Sequence, residues 1–133
     1  MPASPKPGVT YLLDTSAIWA YLLNEPGGEQ VSPLYRHSLI PFIAMSELYS
    51  TVWLRFGQPK ADQVVATVRE WQRPWVWPTE EVVFLAGRWR AVHRLGLADS
   101  FIAALAFIHQ AILVTKDMDF QVLRHDLQLL SLR

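Results

Sequence analysis

Apolar and polar residues are arranged along this chain in a way that predicts short strands separated by helices. Residues 9–13 form a β-rich apolar run, which ends at Asp14 before a helical spacing of apolar residues begins. A second apolar run, residues 39–43, contains Pro41 and therefore favours an edge or irregular strand. A third run, residues 111–114, predicts another strand.

The segments between these runs have helical periodicity. Gly57 and Gly96 are expected to end two of the helices. We expect helices over residues 16–23, 44–56, 60–73, 79–96 and 98–110, a weak helix over residues 29–36 and a short one around residues 122–123, with further apolar runs at residues 75–77 and 127–132. Strands that alternate with helices favour an α/β fold with a mostly parallel sheet.

Composition limits what such a chain can be. Its 133 residues, 51% of them hydrophobic, suit one compact domain over residues 9–133, preceded by a proline-rich, flexible leader of residues 1–8. The 12 basic and 12 acidic residues give no overall positive field, so any contact with nucleic acid must depend on local patches. The absence of cysteine excludes disulfides, thiol nucleophiles and thiolate zinc sites. No apolar run reaches the ~20 residues that cross a bilayer, so we expect a soluble, cytoplasmic protein without a membrane partner.

Four acids stand where an α/β fold collects reactive groups. Asp14 and Asp117 directly follow predicted strands, and the carboxyl ends of parallel strands form the usual ligand-binding edge. Asp99 starts a very apolar helix, and Glu47 lies in the first predicted turn of another. We therefore expect the four carboxylates to converge on one rim.

Each acid also has a simpler structural interpretation. Asp14 and Asp99 could be helix N-caps, which are worth about 1 kcal/mol each. Glu47 could be a first-turn glutamate that the helix dipole stabilises, and Asp117 could be an ordinary turn residue. Apolar flanks around Glu47 and Asp99 argue for burial, which is costly for an unpaired carboxylate. Two like charges about 4 Å apart repel by about 4 kcal/mol at an effective dielectric of about 20, and Lys116 is the one adjacent base. A divalent cation, Mg²⁺ or Mn²⁺, suits a pocket lined with oxygen atoms.

At these acids the chain resembles the PIN-domain family, and in particular the VapC-type toxins of bacterial and archaeal toxin–antitoxin pairs. Four segments carry the resemblance, in the order that the family has them: YLLDTSAI, SELYS, LADSFIAALA and LVTKDMDF. The matching motif residues are Asp14, Ser16, Glu47, Asp99, Thr115, Asp117 and Asp119.

The resemblance implies a three-layer α/β/α sandwich, endoribonuclease activity, a divalent metal, and a homodimer inhibited by a small antitoxin protein. Under this hypothesis the protein hydrolyses RNA phosphodiester bonds with the help of a metal ion. Asp14, Asp99 and Asp117 are the expected metal ligands, and Glu47 completes the site. Three residues are expected to support these acids from behind or from the rim: Ser16, Thr115 and Asp119.

Substrate contacts and alternative functions remain open at this stage. Four basic side chains are candidates for holding RNA phosphates, although a solvated helix face is the simpler interpretation for some of them: Lys116, Arg88, Arg90 and Arg94. One alternative is a catalytically silent protein-interaction module, in which the acids cap helices and the apolar helices bind a partner. A less favoured alternative is a phospho-acceptor receiver domain, represented by Asp14 and Lys116.

Overall fold

A parallel five-stranded sheet forms the centre of the protein in a computed structural model that describes residues 5–133. The strand order is β3-β2-β1-β4-β5, and every neighbouring pair is parallel. The strands are β1 (Tyr11–Leu13), β2 (Ser38–Pro41), β3 (Trp75–Val76), β4 (Ile112–Thr115) and β5 (Leu129–Ser131). The helices are α1 (Thr15–Leu22), α2 (Phe42–Phe56), α3 (Gln58–Glu70), α4 (Glu80–His93) and α5 (Leu97–Ile108).

Helices cover both faces of the sheet, which confirms the expected three-layer α/β/α fold. Consecutive residues of β1 point to opposite faces, with Leu13 in the core under α1, α2 and α3, and Leu12 in the core under α4 and α5. Both side chains are fully buried. Burial on both faces explains why the strands read as continuous apolar runs and not as alternating ones.

Two details of the strands and loops differ from the sequence-based prediction. β2 is an internal strand between β1 and β3, whereas Pro41 favours an edge or irregular strand. Pro41 is tolerated because it is the last residue of β2 and the N-cap of α2. The weak helix expected over residues 29–36 is two 3₁₀ turns, Gly28–Gln30 and Tyr35–His37, because the proline at position 33 disfavours helical backbone at the residue before it.

Helix boundaries near two acids also shift. α5 begins at Leu97, so Asp99 lies within its first turn and is not its cap. α2 begins at Phe42, which places Glu47 beyond the first turn where it was expected. α4 ends at His93, because Arg94 adopts a left-handed conformation, and Gly96 is the N-cap of α5 and not the stop of α4.

The sheet order excludes the receiver-type alternative. Receiver domains have the order 2-1-3-4-5, in which the third strand adjoins the first, whereas β2 and β4 flank β1 here. Residues 5–8 of the predicted leader form a turn in which the Val9 amide donates to the Lys6 carbonyl oxygen at 3.2 Å, and residues 1–4 lie outside the described part of the chain. Among residues 5–133, every helix is too short or too polar to span a membrane.

Candidate metal centre

The site lies at the carboxyl ends of the central strand β1 and its neighbour β4. β1 and β4 are paired with Leu13 opposite Val114, and the chain leaves both strands at the same edge of the sheet. The Asp14 amide continues this pairing by donating to the Val114 carbonyl oxygen at 3.2 Å. Asp14 therefore enters the site from β1, and the loop that carries Asp117 enters it from β4.

Asp14 is the buried acid of the site, with only 3% of its surface exposed. Its Oδ1 caps α1 by accepting hydrogen bonds from the Ala17 amide at 2.9 Å and from Ser16 Oγ at 2.7 Å. Thr115 Oγ1 donates to the other oxygen, Oδ2, at 2.5 Å. Burial raises the pKa of Asp14 from 3.8 to about 6, although the hydrogen bonds from Thr115, Ser16 and Ala17 oppose that rise. Asp14 is thus both a helix cap and a member of the acidic site.

The two hydroxyl residues predicted to support the acids both contact Asp14. Ser16 Oγ also accepts from the Lys116 amide at 2.9 Å, and Thr115 Oγ1 accepts from the Asp117 amide at 2.9 Å. These hydrogen bonds connect the first turn of α1 with the loop after β4. The same two hydroxyls therefore orient Asp14 and fix the backbone of the loop that carries the other acids.

Three acids gather on the more exposed side of the site. One carboxylate oxygen each from Asp99, Asp117 and Asp119 lie within 4.8 Å of one another. Asp117 Oδ1 also accepts a hydrogen bond from the Asp119 amide at 2.8 Å, which fixes the turn between these two residues.

The pKa of Asp99 is raised by burial and by the other acids near it. Burial is the main cause that raises it from 3.8 to about 6 in this half-buried side chain. The next causes, in decreasing order, are the negative charges of Asp117, Glu47, Asp14 and Asp119. The other four acids that the sequence pointed to are therefore all close enough to Asp99 to affect it electrostatically.

Glu47 reaches the site from α2 and is held by a residue that sequence reasoning missed. Thr15 Oγ1 donates to Glu47 Oε1 at 2.6 Å. Its position directly after a strand-end aspartate could have pointed to Thr15. A hydroxyl in the first turn of a helix lies close to the ligands and side chains that collect at the helix N-terminus.

A pocket of about 480 Å³ brings these side chains together. The four predicted catalytic acids and Lys116 line its wall. The sequence did not predict four further lining residues: Trp19 of α1, Glu25 of the following loop, Thr51 of α2 and Ile102 of α5. The loop that carries Glu25 packs closely against α1 at Gly28. Only glycine fits there, because a Cβ atom on Gly28 would lie 2.2 Å from the Ala20 carbonyl oxygen.

The predicted arginines lie elsewhere. Arg90 of α4 and Arg94, the C-cap of this helix, line a separate groove together with Phe101 of α5, and Arg88 is exposed on α4. Among the described residues, the wall of the acidic pocket includes Lys116 but none of these three arginines.

The donor set fits a divalent cation. The pocket offers five carboxylates and several hydroxyl oxygens against one lysine, and hard divalent ions prefer oxygen ligands of this kind. The neighbouring carboxylates also repel Asp99, and their charges add to burial in raising its pKa. A cation bound among Asp14, Glu47, Asp99 and Asp117 would remove this repulsion.

Several solved structures share the fold. They include VapBC-1 from nontypeable Haemophilus influenzae, with 23% identity and a TM-score of 0.72 over 92% of this chain and 98% of the other. VapBC2 from Rickettsia felis, bound to a DNA fragment from its promoter, matches with 19% identity and a TM-score of 0.76 over 94% of this chain and 100% of the other. DNA-bound VapBC from Salmonella typhimurium matches with 17% identity and a TM-score of 0.74 over 92% and 98%. No curated protein matches the sequence.

A family model settles the classification that these distant structural matches leave at the level of the fold. The model of the PIN domain matches residues 11–126, from β1 to the loop before β5. That range contains every acid and every hydroxyl of the site described above. The chain belongs to the PIN domain family.

Proposed function

We propose that this protein is a divalent-metal-dependent endoribonuclease and the toxin of a toxin–antitoxin pair. PIN domains are nucleases, which supports the reaction class. The observation that carries the proposal is that Asp14, Glu47, Asp99 and Asp117 line one pocket, where burial and neighbouring negative charges raise the pKa of Asp99 to about 6. Such a cluster of carboxylates lowers the stability of the fold through burial and like-charge repulsion unless a cation binds to it.

Asp14, Glu47, Asp99 and Asp117 hold the cation, Mg²⁺ or Mn²⁺, in this proposal. When bound, the ion polarises the phosphodiester, lowers the pKa of the attacking water and offsets the charge that develops on the phosphate oxygens. The chain supplies the positions of the ligands. Ser16 and Thr115 hold the Asp14 carboxylate by one hydrogen bond on each oxygen, and the Asp119 amide holds Asp117.

Positive side chains bind the RNA backbone. Lys116 lies in the wall of the pocket, where its ammonium group can contact the phosphate next to the cleaved bond. Arg88, Arg90 and Arg94 lie outside this wall, so we assign them to phosphates farther along the strand.

The structural neighbours support the biological role. VapBC-1 and VapBC2 match this chain over nearly their whole length, and another neighbour is described as a toxin–antitoxin complex from Klebsiella pneumoniae. By analogy, we assign to this chain a small antitoxin as partner, a homodimer, a cytoplasmic location, and a single PIN domain that spans residues 9–133. Exposed apolar residues on α2 support a protein partner, since Leu54 is 86% exposed and lies between the exposed Trp53 and the exposed Phe56.

A cleavage assay tests the proposal directly. End-labelled single-stranded RNA and DNA of the same sequence are incubated with the purified chain in MgCl₂, MnCl₂ or EDTA. We expect internal cleavage of the RNA with either metal and none with EDTA. Asp99→Asn should lower the rate at least about 100-fold, because the metal contributes several kcal/mol and each ~1.4 kcal/mol is a factor of ten.

Asp126→Asn is the matched control, because Asp126 is an exposed aspartate outside the pocket. It should cleave at the wild-type rate. Cleavage that persists in EDTA, or that is unaffected by Asp99→Asn, would refute the metal-dependent mechanism. A protein that binds a small partner but cleaves no RNA would support the interaction module instead.

A further inference from the structure

Thr15 donates a hydrogen bond to Glu47, whereas the adjacent Ser16 donates to Asp14. Its hydroxyl donates to Glu47 Oε1 at 2.6 Å, across 32 residues of sequence. The next residue, Ser16, donates to Asp14 and accepts from the amide of Lys116, across 100 residues. Three consecutive residues thus connect the end of β1 to α2 in one direction and to the loop after β4 in the other.

The local structure makes Thr15 a rigid donor. Asp14 caps α1 through the Ala17 amide, which fixes the backbone of the first helical turn, where Thr15 is the first residue. Threonine is branched at Cβ and has few χ1 rotamers in a helix. The cap that places Asp14 therefore restricts the directions that the Thr15 hydroxyl can take.

Glu47 needs such a donor more than the aspartates do. A glutamate has one more rotatable bond than an aspartate and loses more rotamer entropy when it is ordered. Glu47 also projects from the middle of α2, whereas Asp14 and Asp117 follow strands and accept hydrogen bonds from nearby backbone amides. An ionised carboxylate only accepts hydrogen bonds, so one donor on Oε1 restricts the group and leaves lone pairs free for another partner.

We propose that Thr15 is a positioning residue of the cation site, which acts by holding the Glu47 carboxylate in place for metal binding. This inference rests on the proposed function, because it assigns the ordering of Glu47 to a divalent ion. Partners of metal ligands typically change metal affinity 10–100-fold when they are removed. The same range is expected for loss of the Thr15 hydroxyl.

The experiment is a calorimetric titration of the metal-free protein with MnCl₂, which measures affinity without any cleavage. Thr15→Val removes the hydroxyl and nearly keeps the shape, so it should weaken Mn²⁺ binding about 10–100-fold. Thr15→Ser keeps the donor and should restore most of the affinity. Thr67→Val is the control, because the Thr67 hydroxyl donates to the Gln63 carbonyl oxygen of α3, outside the pocket, and it should bind Mn²⁺ as the wild type does.

A double-mutant cycle with Glu47→Ala shows whether Thr15 acts through Glu47. Glu47→Ala is chosen because a glutamine could still accept the Thr15 hydrogen bond. In the Glu47→Ala background, Thr15→Val should have no further effect on Mn²⁺ affinity. If Thr15→Val does not fold, Thr15→Ala deletes the same hydroxyl with less bulk and enters the same cycle.

The outcomes separate this inference from the proposed function. Equal Mn²⁺ affinity of the wild type and Thr15→Val overturns the role of Thr15 alone, and so does an equal loss with and without Glu47. Absence of Mn²⁺ binding by the wild type overturns both the proposed function and the positioning role.

Discussion

Burial is the main cause that raises the pKa of both Asp14 and Asp99 to about 6, but the groups around the two acids differ. Asp14 is almost fully buried and is held by donors from Ala17, Ser16 and Thr115, which partly offset the cost of its burial. Asp99 is half-buried, and four neighbouring negative charges add to the effect of burial. Asp14 is thus stabilised by hydrogen bonds within the fold, whereas Asp99 is kept in place despite electrostatic repulsion from the other acids. Changes on the two sides of the pocket should therefore affect stability in opposite directions.

The largest expected effect is the pH dependence of stability without metal. The folded-state pKa of Asp14, about 6, lies above its ordinary value of 3.8, so the folded protein binds this proton more tightly than the unfolded chain does. The contribution is fully present below pH 3.8 and is lost as the pH rises through 6. It amounts to about 3 kcal/mol, since one pKa unit corresponds to about 1.36 kcal/mol.

Denaturant unfolding in EDTA between pH 4 and pH 7 measures this loss. The control is Asp14→Asn, which cannot titrate at this position, so its unfolding free energy should fall less over the same range. An identical pH profile in the wild type and in Asp14→Asn would show that the burial of Asp14 is not the cause.

Removal of a donor from the buried side should destabilise the protein. Thr115→Val leaves Oδ2 of the buried Asp14 without the hydroxyl that now donates to it. We expect a loss of about 1–3 kcal/mol in the free energy of unfolding at pH 7 in EDTA, which is the usual cost of an unsatisfied buried polar group. Thr67→Val removes a helix-surface hydroxyl and should change stability much less. Equal effects of the two variants would contradict the importance of the buried hydrogen bond.

Neutralisation of the other side should stabilise the metal-free protein. Asp99→Asn removes one charge from a repulsive cluster, and we expect a gain of up to about 1 kcal/mol in EDTA at pH 7, because solvent screens a half-buried group. Asp126→Asn should be neutral. If Asp99→Asn destabilises the protein as Thr115→Val does, the two sides of the pocket do not differ in the way described.

The smallest expected effect concerns the lysine in the wall of the pocket. Lys116→Gln should weaken RNA binding similarly for all sequences and lower the dependence of log affinity on log salt by about 1, which is the effect of one phosphate contact. Binding measured at several salt concentrations, with catalysis prevented by EDTA, checks this. Arg124→Gln, at an exposed arginine outside the pocket, is the comparison. An unchanged salt dependence in Lys116→Gln would remove Lys116 from the RNA contacts.

Most of the fold could be predicted because its strands are buried on both faces. The runs at residues 9–13 and 111–114 correspond to the central strand β1 and its neighbour β4, since their burial leaves little room for polar residues there. Errors arose where one residue had two interpretations. Gly96 was taken as a helix stop but is the N-cap of α5, while Arg94 adopts the left-handed conformation that usually favours glycine.

The convergence of the acids followed from topology, but their connections did not. Asp14 and Asp117 follow adjacent parallel strands, so their proximity could be inferred from the strand pattern alone. The Thr15–Glu47 hydrogen bond depends on how α1 approaches α2, and no local pattern specifies that approach. Glu25 was missed for the same reason, because the path of its loop is set by the packing of Gly28 against α1.

Thermal unfolding with and without metal tests most directly whether these acids form one cation site. The wild type, Asp99→Asn and Asp126→Asn are compared in EDTA and in millimolar MnCl₂ at pH 7. Metal at about 100 times its Kd should stabilise the folded state by about 2.7 kcal/mol. A shared site predicts a rise in Tm with Mn²⁺ for the wild type and Asp126→Asn, and a much smaller rise or none for Asp99→Asn. Equal rises in all three proteins, or no rise in the wild type, would contradict it.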